Sequence, residues 1–235
     1  MREPLRIAVA QPPSVSYDVA TNAASHAATI RTARARVVAF PELSLTGYQL
    51  DAKPITAEDA RLDPLVQACA ETGSLALVGA PVAGEAGRSY VAMLAVDGTG
   101  ASVAYRKMWL GPAEERRFTP GSKPATLDVD GWRLGLAICK DTGIPQHATD
   151  TAALGIDAYV AGVLESADRA GILAERAHRI ARQHRVWVAV ASFAGSTGEG
   201  YTHAAGRSGI WNADGTMVAQ AGPEPGAITR ATLTS

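Results

Sequence analysis

The chain has 235 residues, of which 47% are hydrophobic, and its 22 Lys and Arg nearly balance its 23 Asp and Glu. That apolar fraction excludes a disordered protein, and the length is enough to bury a large core without disulfides. A formal net charge of −1 provides no broad basic surface for nucleic acid or an anionic membrane. The two cysteines cannot form a disulfide scaffold, and no CxxC or HExxH motif indicates a metal site.

The N-terminal segment and the apolar runs indicate whether the protein is secreted or inserted in a membrane. The chain begins Met-Arg-Glu-Pro-Leu-Arg, with charge and proline before any apolar run, so we expect no signal peptide. No apolar stretch reaches the roughly 18 residues that a membrane span needs. We therefore expect a soluble, cytoplasmic protein that binds neither nucleic acid nor membranes.

The first 80 residues alternate between predicted strands and helices. The predicted strands are Arg6–Gln11, Val37–Phe40 and Leu75–Ala80. Asp18 can cap a helix that runs to about Arg34, and Thr56 with Asp59 forms a capping-box-like start for a second helix. Cys69 lies on the apolar stripe of that second helix, which predicts a buried structural thiol. Buried strands separated by helices predict an α/β protein with largely parallel neighbouring strands.

Hairpins interrupt this alternation in the middle of the chain. Two turn sequences, Asp97-Gly98-Thr99-Gly100 and Asp130-Gly131, predict β-hairpins. The strands that they join are Tyr90–Val96 with Ala101–Arg106, and Thr126–Val129 with Trp132–Ile138. The later predicted elements are a helix near Gln146–Leu154, a strand Ala158–Gly162, a helix Ala167–His184, a strand Val186–Ser192 and a hairpin around Ala213-Asp214-Gly215. The continuous hydrophobic pattern predicts one domain over residues 1–235, with two packed sheets and helices outside.

Three side chains that could take part in catalysis follow predicted strands. Cys139 comes directly after the strand that ends at Ile138, Glu42 follows the strand Val37–Phe40, and Lys107 follows Arg106. Ligands bind at the carboxyl ends of strands in α/β sheets. By position alone, two interpretations of Cys139 are equally supported. It could be a nucleophile whose thiolate is favoured by the N-terminus of the next helix, or it could be a small buried thiol. Glu42 and Lys107, judged by spacing alone, fit solvated side chains.

Taken together, the segments around these residues resemble three motifs of the nitrilase superfamily of carbon–nitrogen hydrolases. They are Phe40-Pro41-Glu42-Leu43-Ser44-Leu45-Thr46-Gly47-Tyr48 for the glutamate motif, Tyr105-Arg106-Lys107 with Phe118-Thr119-Pro120-Gly121 for the lysine motif, and Gly135-Leu136-Ala137-Ile138-Cys139-Lys140-Asp141 for the nucleophile motif. They occur in the family's order. Similar flanking segments at Arg6–Gln11, Gly206-Arg207-Ser208 and Asp214-Gly215 extend the resemblance over nearly the whole chain.

The resemblance implies a Glu–Lys–Cys triad carried by Glu42, Lys107 and Cys139. It also implies a second glutamate in the loop after the lysine, which counting back from the Phe-Thr-Pro-Gly segment places at Glu114, with Glu115 as the alternative. The implied fold is a four-layer α-β-β-α sandwich of the α/β class. No metal or organic cofactor is implied, and the expected assembly is a homodimer or a larger even-numbered oligomer.

Near the implied pocket the sequence departs from the family's usual residues. The residues that differ from the family's usual ones are Trp109, Lys140-Asp141, Ile144-Pro145-Gln146 and Ser192-Phe193-Ala194-Gly195. These differences do not affect the triad, but they leave the identity of the substrate open. We expect substrate contacts from Tyr48, Trp109 and Lys140.

The expected reaction is hydrolysis of a small carboxamide to acid and ammonia through a thioester on Cys139. Glu42 would take the thiol proton and return it to the leaving amine, while Lys107 and the Lys140 backbone N–H stabilise the oxyanion. Glu114 would orient the substrate amide or hold its charged neighbours. Without a base or a cationic neighbour the thiol stays protonated, because a free thiol titrates near pH ~8.5.

Other functions remain open at this stage. A nitrilase or an N-carbamoyl hydrolase would use the same triad, and a glutaminase-like subunit would supply ammonia to a partner. A non-enzymatic binding protein is disfavoured, because four polar side chains would be costly to bury without a role. A dyad of Cys139 with His147 or His203 is conceivable, but nothing in the sequence favours it.

The helix Ala167–His184 offers modest support for the oligomer. Its small residues would let a second helix approach closely, and a row of arginines follows one face: Arg176, Arg179, Arg182 and Arg185. In a two-fold contact these arginines would meet acids such as Glu165 and Glu175 of the other copy. The alternative is an ordinary surface helix with pairs inside one chain.

Overall fold

Two six-stranded sheets form the centre of the fold in the computed structural model, which describes residues 2–234. The helices are α1 (Val19–Ala33), α2 (Asp63–Thr72), α3 (Pro145–Ala152) and α4 (Ala170–His184). The strands are β1 (Leu5–Gln11), β2 (Val37–Ala39), β3 (Leu75–Ala83), β4 (Ser89–Asp97), β5 (Gly100–Arg106), β6 (Thr126–Val129), β7 (Trp132–Ile138), β8 (Ala158–Val163), β9 (Trp187–Ser192), β10 (Ala194–Gly195), β11 (Ala204–Ala205), β12 (Gly209–Trp211), β13 (Met217–Gln220) and β14 (Ala227–Leu233).

The two sheets have matching topologies. The first has the order β14-β1-β2-β3-β4-β5 and the second β13-β12-β9-β8-β7-β6. In each, three central strands run parallel (β1, β2 and β3, then β7, β8 and β9), and the outer strands are antiparallel. The parallel strands therefore end on one edge of their sheet, which is where α/β proteins bind ligands.

Alternating side chains divide the interior into layers. On β1, Ile7 and Val9 join a cluster between the sheets that also contains Leu136 and Val160 from the second sheet. Ala8 and Ala10 point the other way, into the cluster under α1 and α2. A third cluster lies between the second sheet and helices α3 and α4. The four-layer α-β-β-α sandwich is confirmed, with the largest core between the two sheets.

The predicted elements match the structure closely, with shifts at helix starts. Asp18 caps α1 by accepting the Thr21 backbone N–H, as predicted. Asp59 instead caps a short 3-10 turn, and α2 begins at Asp63, just before Pro64. The first residues of the predicted helix Ala167–His184 likewise form a 3-10 turn before α4. The edge strand β14 was not predicted. Within residues 2–234, no helix combines the length and apolarity that crossing a membrane requires.

Candidate active site

The Glu42 segment is held between the two sheets by close backbone contacts. A Cβ added at Gly79 on β3 would lie 2.3 Å from the Pro41 carbonyl oxygen, and one at Gly162 on β8 would lie 2.6 Å from that of Phe40. Only glycine permits this approach. Leu43 adopts a left-handed conformation with φ +50°, a strained turn of the kind that clusters at functional sites. Glu42 therefore has a defined direction as it leaves β2.

Lys107 continues β5 by one residue and is fixed by the loop that follows it. Its N–H donates to the Val91 carbonyl, and its own carbonyl accepts the Gly121 N–H at 2.7 Å. A Cβ at Gly121 would lie 2.2 Å from the Arg106 carbonyl oxygen, so the glycine lets the loop return to the strand. Between these two points the loop places Glu114 at the start of a 3-10 turn, facing Lys107.

Glu42, Lys107 and Glu114 form a buried charged cluster, each side chain being 2% exposed or less. The Lys107 ammonium lies 2.6 Å from Glu42 Oε1 and 2.7 Å from both carboxylate oxygens of Glu114. Glu114 also accepts the Tyr48 hydroxyl at 2.7 Å and the Gly111 N–H at 2.6 Å. Glu42 Oε2 is buried and has no hydrogen-bond partner within the described residues. One carboxylate is thus saturated, and the other has a free oxygen.

This asymmetry separates the pKa values of the two glutamates. Burial raises the pKa of Glu42, Lys107 works against it, and the charge of Glu114 raises it further. Burial also acts to raise the pKa of Glu114, but the Lys107 charge and the donated hydrogen bonds outweigh it and lower that pKa. Burial acts to lower the pKa of Lys107, and the surrounding negative charges outweigh it, so Lys107 is a cation. Glu114 is the permanent counterion, while Glu42 can exchange a proton.

Cys139 follows β7 in a strained turn beside this cluster. Its φ is +44°, and its thiol donates to the Leu164 carbonyl at 3.2 Å. A 3-10 turn over Cys139–Gly143 separates it from α3. Burial raises the thiol pKa, the charge of Glu42 adds to this, and Lys107 opposes it. The turn places the N-terminus of α3, at Pro145, several residues beyond the thiol.

The three residues predicted to contact substrate lie around the cluster but have different partners. Tyr48 donates to Glu114 and meets the Tyr201 ring edge to face, at 5.7 Å between centroids. The Trp109 indole packs edge to face on His147, and the Lys140 ammonium donates to the Leu110 carbonyl. Of the three, Tyr48 touches the charged cluster directly. The substrate contacts themselves stay predictions.

The two histidines considered as partners of Cys139 are engaged elsewhere. Both ring nitrogens of His147 contact tyrosine hydroxyls, those of Tyr105 and Tyr159. His203 is exposed and contacts Thr202. Within residues 2–234 neither forms a hydrogen bond to Cys139, so the structure gives no support for a Cys–His dyad.

A surface cavity of about 550 Å³ is lined in part by Tyr201, whose ring packs against Tyr48. Ser166, Glu199, Tyr201 and His203 contribute to its wall. The Tyr201 ring meets Tyr48, which donates to Glu114, so Tyr201 lies between the cavity and the charged cluster. The sequence contained no pattern for this cavity, because its wall comes from two loops far apart in the chain.

Residues 6–235 match the carbon-nitrogen hydrolase family. The chain belongs to this family and is a carbon–nitrogen hydrolase.

Its relatives include hydrolases and amidases. A Pseudomonas protegens protein described as a hydrolase in the pqqF 5′ region is 28% identical over 93% of this chain and 79% of its own length. An (R)-stereoselective amidase of Pseudomonas sp. is 30% identical over 53% of this chain and 46% of its own. The amidase of Nesterenkonia sp. AN1, solved as a cysteine-to-alanine mutant in complex with butyramide, aligns with a TM-score of 0.86 at 24% identity, over 97% of this chain and 90% of that one.

Proposed function

We propose that this chain hydrolyses a small carboxamide to its acid and ammonia, with Cys139 as nucleophile and Glu42 as general base. The observation that carries the proposal is the free, buried Glu42 Oε2 in a cluster whose other carboxylate is saturated. A carboxylate with a raised pKa and an open oxygen, close to a protonated thiol, is suited to accept the thiol proton. The amidase relatives support an amide as the substrate.

The proposed reaction proceeds through proton transfers by one carboxylate. Glu42 takes the Cys139 proton as sulfur bonds to the amide carbon, and it then returns that proton to the nitrogen as the C–N bond breaks. Lys107 and the Lys140 backbone N–H stabilise the oxyanion between these steps. Tyr48 and Gly111 already donate to Glu114, so Glu114 stays satisfied when Lys107 turns one N–H to the substrate. Glu42 then takes a proton from water as the water oxygen bonds to the thioester carbon, and it passes that proton to the Cys139 sulfur as the C–S bond breaks and the acid is released.

Intact-protein mass spectrometry after brief mixing with an amide panel tests this proposal. The panel includes butyramide and both enantiomers of a chiral amide, because the relatives include an amidase solved with butyramide and an (R)-stereoselective amidase. Glutamine is added to test the ammonia-supplying alternative. We expect an acyl adduct that maps to Cys139, with ammonia release for the same amide. Cys139→Ala should fold normally and give neither. Ammonia release by folded Cys139→Ala would overturn the nucleophile assignment.

The products distinguish the related activities. An amide hydrolase releases ammonia from the amide, whereas a nitrilase releases it from the nitrile with the same acid as product. Carbon dioxide together with ammonia from an N-carbamoyl compound would instead identify a carbamoyl hydrolase. Ammonia from glutamine that is consumed by a co-purifying synthetase would identify an ammonia-supplying subunit.

Glu114→Gln is expected to shift the acid limb of the kcat/KM profile to lower pH. Burial sets most of the raised pKa of Glu42, and the Glu114 charge adds to it. Without that charge Lys107 pairs with Glu42 alone, so the pKa of Glu42 falls and the base form persists to lower pH. The matched control is the exposed neighbour, Glu115→Gln, which should leave the limb in place. A limb that moves to higher pH in Glu114→Gln would contradict this electrostatic account.

We also propose that the protein is cytoplasmic, because its two cysteines are both free thiols. We further propose that it forms a homodimer or a larger even-numbered oligomer. Two of the residues expected across the boundary have partners inside the chain, since Arg179 donates to the Thr142 carbonyl and Glu165 lies 3.3 Å from Arg169. Arg182 is exposed and is the better probe. Light scattering should show a multiple of the 24.4 kDa chain, and Arg182→Glu should weaken the assembly in a salt-sensitive way. A mass of one chain would contradict the proposal.

A further inference from the structure

A fully buried carboxylate outside the charged cluster holds the segments that carry the lysine and the cysteine. Asp141 accepts the Ile138 N–H from the end of β7 at 2.9 Å, and the Trp109 N–H at the same distance. It also accepts the Tyr105 hydroxyl at 2.7 Å. Tyr105 and Trp109 are the residues two positions before and two positions after Lys107. One side chain therefore fixes both flanks of Lys107 to the strand that ends at the nucleophile.

The hydroxyl of Tyr105 continues this connection into a directed chain of hydrogen bonds. Because it donates to Asp141, it must accept from His147 Nε2, which lies 2.9 Å away. His147 Nδ1 then accepts the Tyr159 hydroxyl at 2.8 Å. Burial lowers the pKa of His147, with Asp141 and Asp150 opposing it, so the ring is neutral in this arrangement. The donors and acceptors fit one tautomer and one direction.

This arrangement has a cost that its hydrogen bonds must offset. Asp141 is 0% exposed and, apart from the neutral His147 at 4.0 Å, no basic side chain in the described chain lies within ion-pair distance. Burial raises its pKa, and the hydrogen bonds that it accepts counteract the effect. An ionised carboxylate in the interior is strongly destabilising unless such donors surround it. These hydrogen bonds come from both sides of Lys107 and from Ile138, which directly precedes Cys139, and none comes from the charged cluster.

We propose that Asp141 and Tyr105 are positioning residues that set the placement of the Lys107 ammonium relative to the Cys139 thiol. This inference rests on the proposed function, in which Lys107 stabilises the oxyanion formed at Cys139. Placement matters because a displacement of about 1 Å in a catalytic group can cost about 10²-fold in rate. Loss of the Tyr105 hydroxyl frees β5 from Asp141 while the ring keeps its place in the core between the sheets.

The test compares Tyr105→Phe with Tyr159→Phe, which removes an equally buried hydroxyl at the far end of the same hydrogen-bond chain. The first readout is the pH dependence of iodoacetamide alkylation at Cys139, followed by peptide mass spectrometry. Lys107 lowers the thiol pKa, so its displacement in Tyr105→Phe should move the alkylation midpoint to higher pH. The second readout is kcat, expected to fall about 10–100-fold with KM little changed. Tyr159→Phe should show neither effect.

The outcomes separate this proposal from the proposed function. A folded Tyr105→Phe with the wild-type alkylation midpoint and wild-type kcat would overturn the positioning role. A shifted midpoint in Tyr105→Phe, found together with a wild-type enzyme that is inactive on every amide, would support the positioning role and count against an amide substrate. Should Tyr105→Phe fail to fold, Asp141→Asn replaces one acceptor oxygen by an N–H donor, and the same shift is expected from it. An unshifted midpoint in folded Asp141→Asn overturns the proposal equally.

Discussion

Lys107→Met is expected to reduce kcat by about 10²–10³-fold, the loss typical of one oxyanion donor. It is also expected to destabilise the fold by about 3–5 kcal/mol, because removing one partner of a buried ion pair leaves charge uncompensated. Methionine fills nearly the same volume, so packing is little changed. What disappears is the ammonium that lies within 2.7 Å of both Glu42 and Glu114. Urea unfolding and steady-state kinetics measure the two effects.

The loss of stability in Lys107→Met should increase with pH. Without the ammonium, both carboxyl groups bind protons more tightly in the folded chain than in the unfolded chain, where a glutamate titrates near pH ~4.3. The folded state then holds more protons, so the free energy of unfolding falls as pH rises above that value. The difference from wild type should therefore be larger at pH 8 than at pH 5. Lys123→Met, the same change at an exposed site, should show no such trend. An equal loss at both pH values would contradict the assignment of Lys107 as counterion.

The strand ends that carry Glu42, Lys107 and Cys139 were predictable from the sequence. Glu42 and Cys139 follow apolar runs, which are typical of strands buried on both faces. Lys107 follows the second strand of a predicted hairpin, whose turn places that strand end. The turn residues Asp97-Gly98-Thr99-Gly100 and Asp130-Gly131 were equally informative, because they require a hairpin backbone. The site is therefore visible as three separate strand ends. The family resemblance implied that these strand ends meet, and the structure places them together.

Features that depend on distant pairing were not predictable. Strand β14 is only partly buried and pairs with β1 across the whole chain, as in Leu5 opposite Leu233, so no local pattern marks it. Asp141, Tyr105 and His147 each look ordinary in their own segments and acquire a joint role only through packing. The raised pKa of Cys139 has the same origin, because burial is a property of the folded chain. Physical proximity, rather than residue type, is the missing information.

Glu42→Gln is expected to reduce kcat by about 10²–10⁴-fold, the range for loss of a positioned general base. The amide keeps the size of the side chain, and its carbonyl oxygen still accepts from Lys107 in place of Glu42 Oε1. It has no free carboxylate oxygen to receive the Cys139 proton, so both thioester formation and its hydrolysis slow down. Single-turnover kinetics with an amide that acylates the wild-type enzyme should show the loss in both steps.

The same substitution is expected to leave stability unchanged near pH 5 and to raise it at pH 8. Glu42 has a raised pKa in the folded chain, so it holds its proton longer than in the unfolded chain, and stability falls as pH rises through that interval. Glutamine has no charge to bury and leaves Lys107 paired with Glu114 alone, which removes this penalty. Urea unfolding at both pH values measures it, with the exposed Glu58→Gln as control. A Glu42→Gln protein with wild-type kcat would show that another group is the base, and one less stable than wild type at pH 8 would show that the Glu42 charge stabilises the fold.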